Sequence, residues 1–259
     1  MMIFCALGFL VACLPSPLLA LKTVTISGGT HGNEYTGIWC IKAIEKQREL
    51  YNDASNIISS EKINVFKEYP SLSINTLLAN PKAYLANKRF IDTDMNREFS
   101  KIKLQKTSDM CSEGDEETCT DSSLPYEALR AQEIEAMFGA PKTGGDVANA
   151  DMVIDLHTTT SNMGITLIFT EGDALMSAAA AYALHKCKTE YGYENVHILL
   201  LPKADKHDRT NLPSVGKHDI TIEVGPTPQG VIRVSTTEYL LLFWLHCFFV
   251  CLFFARSLL

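Results

Sequence analysis

Residues 27–34 read Ser27-Gly28-Gly29-Thr30-His31-Gly32-Asn33-Glu34, and the segments on either side decide the fold. Before them, Lys22-Thr23-Val24-Thr25-Ile26 alternates polar and apolar β-branched residues, the pattern of a strand. After them, Ile38, Ile41 and Ile44 recur at helical spacing. The paired glycines end the strand in a tight turn, since glycine takes positive φ without strain. The stretch is therefore a strand-to-helix junction at the carboxyl end of a strand, where ligands bind in open α/β sheets. His31 and Glu34 sit on it, three residues apart.

Imidazole and carboxylate are both ligands for divalent first-row metals, and a catalytic zinc takes three protein ligands plus water. His-x-x-Glu by itself is a weak signal, because a histidine after a glycine turn is more often a turn or capping residue. A second strand end strengthens it. Asp151-Met152-Val153-Ile154-Asp155-Leu156 is a short apolar run that ends at His157, followed by polar Thr158 to Asn162. His157 supplies a third ligand from a neighbouring strand, and Asp155 is close enough to orient it.

The chain has 259 residues, enough for one large α/β domain, and 46% of them are hydrophobic. Its formal charge of −7 and lack of a basic stripe argue against nucleic acid as a partner. A small anion held by local arginines fits that balance. The eight cysteines show no CxxC spacing and read mostly as buried thiols, with Cys111 and Cys119 able to pair if the protein were exported.

Further along, 51–72 reads as loop and Ser73–Asn80 as a second strand stopped by Pro81. Residues 101–123 are rich in Lys, Ser and acids and read as a mobile insertion. Helices are expected from Tyr126 through Phe138 and over 173–187, and strands over 165–169, 196–201 and 220–224. Alternating strands and helices make an α/β protein with a largely parallel or mixed sheet flanked by helices. Between the second strand and the insertion, Arg89, Asp94, Asn96 and Arg97 lie in a segment without periodicity. Two readings stay open for its arginines: surface ion pairs of little energetic value, or a fork for a carboxylate or developing oxyanion. Glu223 interrupts an otherwise apolar strand, and a buried acid is costly unless paired, metal-bound or neutralised.

Five blocks in order, Gly28–Glu34, Asn80–Ala83, Arg89…Asp94–Arg97, Asp155–Gly164 and Glu223–Val231, resemble the aspartoacylase family, which includes aminoacylase III. That family is related to succinylglutamate desuccinylase within the zinc-carboxypeptidase-like fold. The resemblance runs from about residue 22 to 233. It implies a cytoplasmic amidohydrolase that removes the acyl group from an N-acyl amino acid. N-acetyl-L-aspartate is the first substrate expected, with N-acyl aromatic amino acids or mercapturates as the alternative. It also implies one zinc per chain, held by His31, Glu34 and His157. Glu223 would be general base and acid, and Arg89 would polarise the scissile carbonyl. Asn96 and Arg97 would hold the substrate carboxylate, braced by Asp94.

Two departures from the family qualify this expectation. The family carries a tyrosine and an arginine shortly before the Glu223 strand. Ungapped alignment puts Arg209 on the tyrosine and Pro213 on the arginine, leaving Arg209 as the candidate anion contact from a shifted loop. The resemblance also stops at Arg233, where the family continues into a C-terminal domain that supplies another active-site tyrosine. The apolar stretches 1–21 and 234–259 are expected to lie outside the deacylase unit of 22–233. A GTGAGT splice donor translates in frame as Val-Ser, so 234–259 reads as translated intron. Read as genuine, the tail makes 240–254 a membrane contact and the chain a truncated, inactive, membrane-tethered zinc-binding protein. Homo-oligomerisation is a further expectation that the residues leave open.

Overall fold

A computed structural model describes residues 21–52, 64–112, 124–145, 148–190 and 192–232. Six strands form one mixed sheet: β1 (Thr23–Gly28), β2 (Ser73–Leu78), β3 (Met152–Thr158), β4 (Gly164–Thr170), β5 (Val196–Leu201) and β6 (His218–Gly225). Their spatial order is β2-β1-β3-β6-β4-β5. The neighbours pair in parallel except β4 with β6, which are antiparallel. The expectation of an α/β protein with a mixed sheet is met.

The two faces of the sheet follow from period-two alternation. Met152, Ile154 and Leu156 of β3, with Ile220, Ile222 and Val224 of β6, join one apolar core. That core also takes Ile41 and Ile44 of α1 (Tyr35–Asn52) and Ala179, Ala180 and Ala183 of α6 (Ala174–Thr189). Val153 faces the other way, into a second core with Leu104 of α4 (Lys101–Ser112) and Ile134 of α5 (Tyr126–Met137). Alternation then places Asp155, His157, Asp219, Thr221 and Glu223 on this second face. β3 is buried along its whole length, as expected of a central strand covered on both sides. Each fully buried aliphatic side chain in these cores contributes about 1.5–3 kcal/mol.

Three segments differ from the sequence expectation. Within 51–72, α1 runs on to Asn52 and a short helix α2 (Val65–Glu68) is capped by Asn64, whose side chain accepts from Phe66 and Lys67. Pro81 does more than stop β2, because it opens a five-residue helix α3 (Pro81–Leu85) behind the Asn80 cap. Residues 101–112, expected within a mobile insertion, form α4. Buried Leu104 and Thr107 provide a narrow anchor stripe against α5, while Lys101, Lys103 and Lys106 stay exposed. Cys111 is disulfide-bonded, and Cys119 falls outside the described residues, as do 113–123 and the two apolar stretches apart from Leu21. Among the described residues no helix is long and apolar enough to cross a membrane.

The glycines of the junction are needed for backbone reasons. Gly29 has φ +74°, and α1 crosses β3 so closely at Gly37 that an added Cβ would lie 2.7 Å from the Leu156 carbonyl oxygen. In an open helix Gly to Ala gains about 1 kcal/mol. Here Gly37→Ala should instead cost about 1–3 kcal/mol through overpacking, read as a lowered midpoint in urea denaturation.

Candidate metal centre

The parallel register of β1, β3 and β6 aligns their carboxyl ends. Ser27 pairs with Asp155, and His157 pairs with Glu223. His31 and Glu34 follow β1 directly, so both reach over the end of β3. His31, Glu34 and His157 are buried, and their donor atoms all lie within 4.8 Å of one another. Both Nδ1 atoms converge on the Glu34 carboxylate, His31 at 2.7 Å from Oε1 and His157 at 3.0 Å from Oε2. Burial pushes the Glu34 carboxyl upward, but His157 and His31 outweigh it and hold it well below the usual carboxylate range.

Each imidazole has a carboxylate on its far nitrogen. His157 Nε2 lies 2.6 Å from Asp155 Oδ2, and His31 Nε2 lies 3.1 Å from Asp94 Oδ1. Asp155 is in turn fixed by donation from Ser27 Oγ at 2.6 Å and Thr30 Oγ1 at 2.8 Å. A neutral ring that donates Nε2–H to its carboxylate would offer the Nδ1 lone pair to a metal. Two imidazoles and a carboxylate, each oriented from behind, fit the donor chemistry of a catalytic zinc. Those carboxylates also raise ring basicity: burial alone would lower His157, but Asp155 and Glu34 hold it well above its ordinary value.

The irregular segment 86–94 folds over this centre. Arg89 donates to Asp94 Oδ2 at 3.1 Å and has its other terminal nitrogen 3.5 Å from Glu34 Oε1. The Asn96 amide lies 3.3 Å from His157 Nε2, and its oxygen accepts from Leu212 N–H at 3.0 Å. Arg97 is exposed beside it, donating to the Asn96 carbonyl, and makes no ion pair among the described residues. Glu223 is half-buried on a central strand, between β3 and β4, and its carboxylate has no hydrogen-bond partner among the described residues. Burial pushes its pKa up.

Arg209 corrects an expectation. It is not brought to the centre but forms a bidentate pair with Asp219, at 2.8 Å and 2.5 Å. Asp219 precedes Glu223 by four residues on β6, so about 13 Å of strand separates them. The physical reason is that the Asp219 carboxylate, on the same face at the opposite end of the strand, matches the guanidinium fork.

Two charged residues that sequence patterns left unmarked hold the overlying loops. Lys142 is buried, and its ammonium donates to the Phe99 carbonyl, the Arg209 carbonyl and Ser214 Oγ at 2.6–2.8 Å, tying segment 97–101 to 209–214. Glu127 of α5 is also buried and accepts from backbone amides of the Arg89–Asp94 segment. Neither has a motif, and Glu127 reads in sequence only as an acid in the first turn of a helix.

The six-stranded mixed sheet has a metallo-carboxypeptidase-like fold, with His31, Glu34 and His157 at its strand ends. The Burkholderia cenocepacia metallo-carboxypeptidase shares the fold, with TM-score 0.54 and 13% identity over 93% of this chain and 60% of that one. Residues 20–247 match the family described as succinylglutamate desuccinylase/aspartoacylase catalytic domain, and the chain belongs to that family. The match runs past Arg233, where the motif resemblance was expected to stop.

Among relatives, a Danio rerio N-acyl-aromatic-L-amino acid amidohydrolase (carboxylate-forming) A is 41% identical over 84% of this chain and 56% of that protein. Danio rerio aspartoacylase is 34% identical over 86% of this chain and 60% of that protein. The crystal structure of murine aminoacylase 3 superposes with TM-score 0.65 and 26% identity, covering 91% of this chain and 66% of that one. The chain thus spans 56–60% of the length of these two zebrafish relatives.

Two outcomes follow from this geometry. Asp155→Asn should weaken zinc affinity about 10- to 100-fold in a competitive chelator titration, because the His157 ring loses its anionic partner. Burial pushes Lys142 down, to about 7 from 10.5, against the pull of Glu135. Between those values the unfolded chain binds more protons, so stability rises with pH. Lys142→Met leaves buried carbonyls unpaired and should cost about 1–3 kcal/mol. The gap from wild type in urea denaturation should widen from pH 7 towards pH 10.

Proposed function

We propose that this chain is the catalytic portion of a zinc-dependent deacylase of N-acyl amino acids. The observation that carries this reading is the buried His31–Glu34–His157 set, with Glu223 beside it on the next strand and Arg89 over it. Zinc held by these three ligands would lower the pKa of a bound water to about 7 and polarise an amide carbonyl.

The chain's own residues do the rest. Glu223 has no hydrogen-bond partner among the described residues, and its raised pKa suits a group that accepts a proton from water and returns it to the leaving nitrogen. Arg89, held by Asp94, offers its guanidinium to the oxyanion that develops on the former carbonyl oxygen. Arg97, which makes no ion pair among the described residues and follows Asn96, is the natural contact for the substrate's α-carboxylate.

For the amino acid side chain, the Asp219 pairing of Arg209 removes the one arginine expected to serve a second carboxylate. This favours N-acyl aromatic amino acids over N-acetyl-L-aspartate. Within zebrafish, the N-acyl-aromatic amidohydrolase A is 41% identical and aspartoacylase 34% identical to this chain.

The test is hydrolysis of N-acetyltyrosine and N-acetylaspartate by the zinc-loaded chain, alongside Glu223→Ala. Faster turnover of N-acetyltyrosine is expected. The Glu223 variant should bind zinc stoichiometrically yet lose at least 100-fold in kcat. Turnover of neither substrate despite full zinc occupancy would leave a zinc-binding protein without deacylase activity.

A further inference from the structure

Glu127 is a fully buried carboxylate in the first turn of α5, and every donor around it is neutral. Oε1 accepts from Ile91 N–H at 2.6 Å and Asn80 Nδ2 at 3.0 Å, and Oε2 accepts from Asp92 N–H at 3.0 Å and Thr93 N–H at 3.1 Å. Four donors fill the carboxylate's principal lone-pair sites. The contact is reciprocal: α5 has no side-chain cap of its own at Pro125, and Asp92 Oδ2 accepts from Tyr126 N–H at 2.8 Å. One turn on, Arg130 donates to the carbonyls of Leu78 and Ala79, fastening the same helix to the end of β2. Burial works against the charge on Glu127, but its amide and Asn80 donors outweigh it and hold the carboxyl below its usual value.

The three amides that Glu127 binds are consecutive and lie between Arg89 and Asp94. That stretch has no helix or strand to set its path. Arg89 reaches the Glu34 carboxylate from one end of it, and Asp94 reaches His31 from the other. Asn96 and Arg97 follow within three residues. His31, Glu34 and His157 lie at or just after the ends of β1 and β3, with Asp155 behind His157 and Asp94 behind His31, and among the described residues none of the three is hydrogen-bonded to Glu127.

We propose that Glu127 is a positioning residue. By binding the amides of Ile91, Asp92 and Thr93, it sets where Arg89, Asn96 and Arg97 stand relative to the metal centre, and so governs handling of the anionic substrate while the His31–Glu34–His157 set itself stays in place. The proposal rests on the deacylase reading for its consequence in turnover, and on the hydrogen bonds alone for its consequence in the loop.

Glutamine is the informative substitution, because it matches the shape but turns an NH2 towards two of the four donors in either orientation. The experiment compares the full zinc-loaded chain with Glu127→Gln, the milder Glu127→Asp, and Leu175→Ala, a core variant on α6 as a stability control. Amide hydrogen exchange at residues 91–93, zinc stoichiometry, and kcat and KM for N-acetyltyrosine are measured. Glu127→Gln should bind zinc one to one, lose at least tenfold in exchange protection at the three amides, and lose at least tenfold in kcat/KM. Glu127→Asp should fall between it and wild type, and Leu175→Ala should keep wild-type kcat/KM. Unchanged protection at 91–93 would overturn the proposal. So would lost protection with kcat/KM within twofold of wild type.

If wild type turns over no N-acyl amino acid, the deacylase reading fails. The exchange data, with the affinity of the zinc-loaded chain for N-acetyltyrosine, then decide the role of Glu127. Weaker binding by Glu127→Gln supports it, and equal binding refutes it.

Discussion

Parallel pairing of β3 with β1 on one side and β6 on the other is the constraint from which the site follows. In a parallel ladder, residues in register point to the same side of the sheet, so fixing Ser27 opposite Asp155 also fixes His157 opposite Glu223. A slip of one residue would turn Asp155 and His157 into the core now occupied by Ile154 and Leu156. The apolar residues of β3 hold the register, and the polar residues between them are delivered to the site as a consequence.

Bringing those polar groups together carries a large desolvation cost. Asp155, Glu34, His157 and Glu127 are all buried, and each is offset differently. Asp155 takes two hydroxyls and an imidazole, Glu34 takes two imidazoles and the Thr158 amide, and Glu127 takes three amides and Asn80. Glu223 is the exception, an acid on an inner strand with no hydrogen-bond partner among the described residues. A carboxyl pushed up by burial is the kind of group that marks a candidate functional site. A site of this kind depends on the rest of the molecule to hold it, which the two cores and the Lys142 tie supply.

The far end of the sheet is built differently. β5 is an edge strand of Val196-His197-Ile198-Leu199-Leu200-Leu201, and its last four residues are exposed despite being aliphatic. Strands of such composition are ordinarily covered. Roughly two-fifths of each of the two zebrafish relatives lies outside the part that this chain matches.

Much of this was legible in the sequence because it depends on short-range pattern. All six strands announce themselves by β-branched runs, and glycine and histidine at Gly29–His31 and His157 mark two strand ends. The helix α4 was not legible, because its apolar stripe is too narrow to show against a background of lysines. Arg209 was misplaced because alignment gives order along the chain but says nothing about which carboxylate, Asp219 or a substrate's, a guanidinium will meet. Glu127 and Lys142 were unmarked because each acts on backbone groups, which every residue possesses, and so leaves no partner signature in the sequence. Local periodicity and side-chain chemistry alone set the strands of the sheet, the candidate ligand types and the acid on an apolar strand. Which charges meet was settled by the folded chain, because pairing in a low-dielectric interior depends on distances in space between groups 10 to 123 residues apart in sequence.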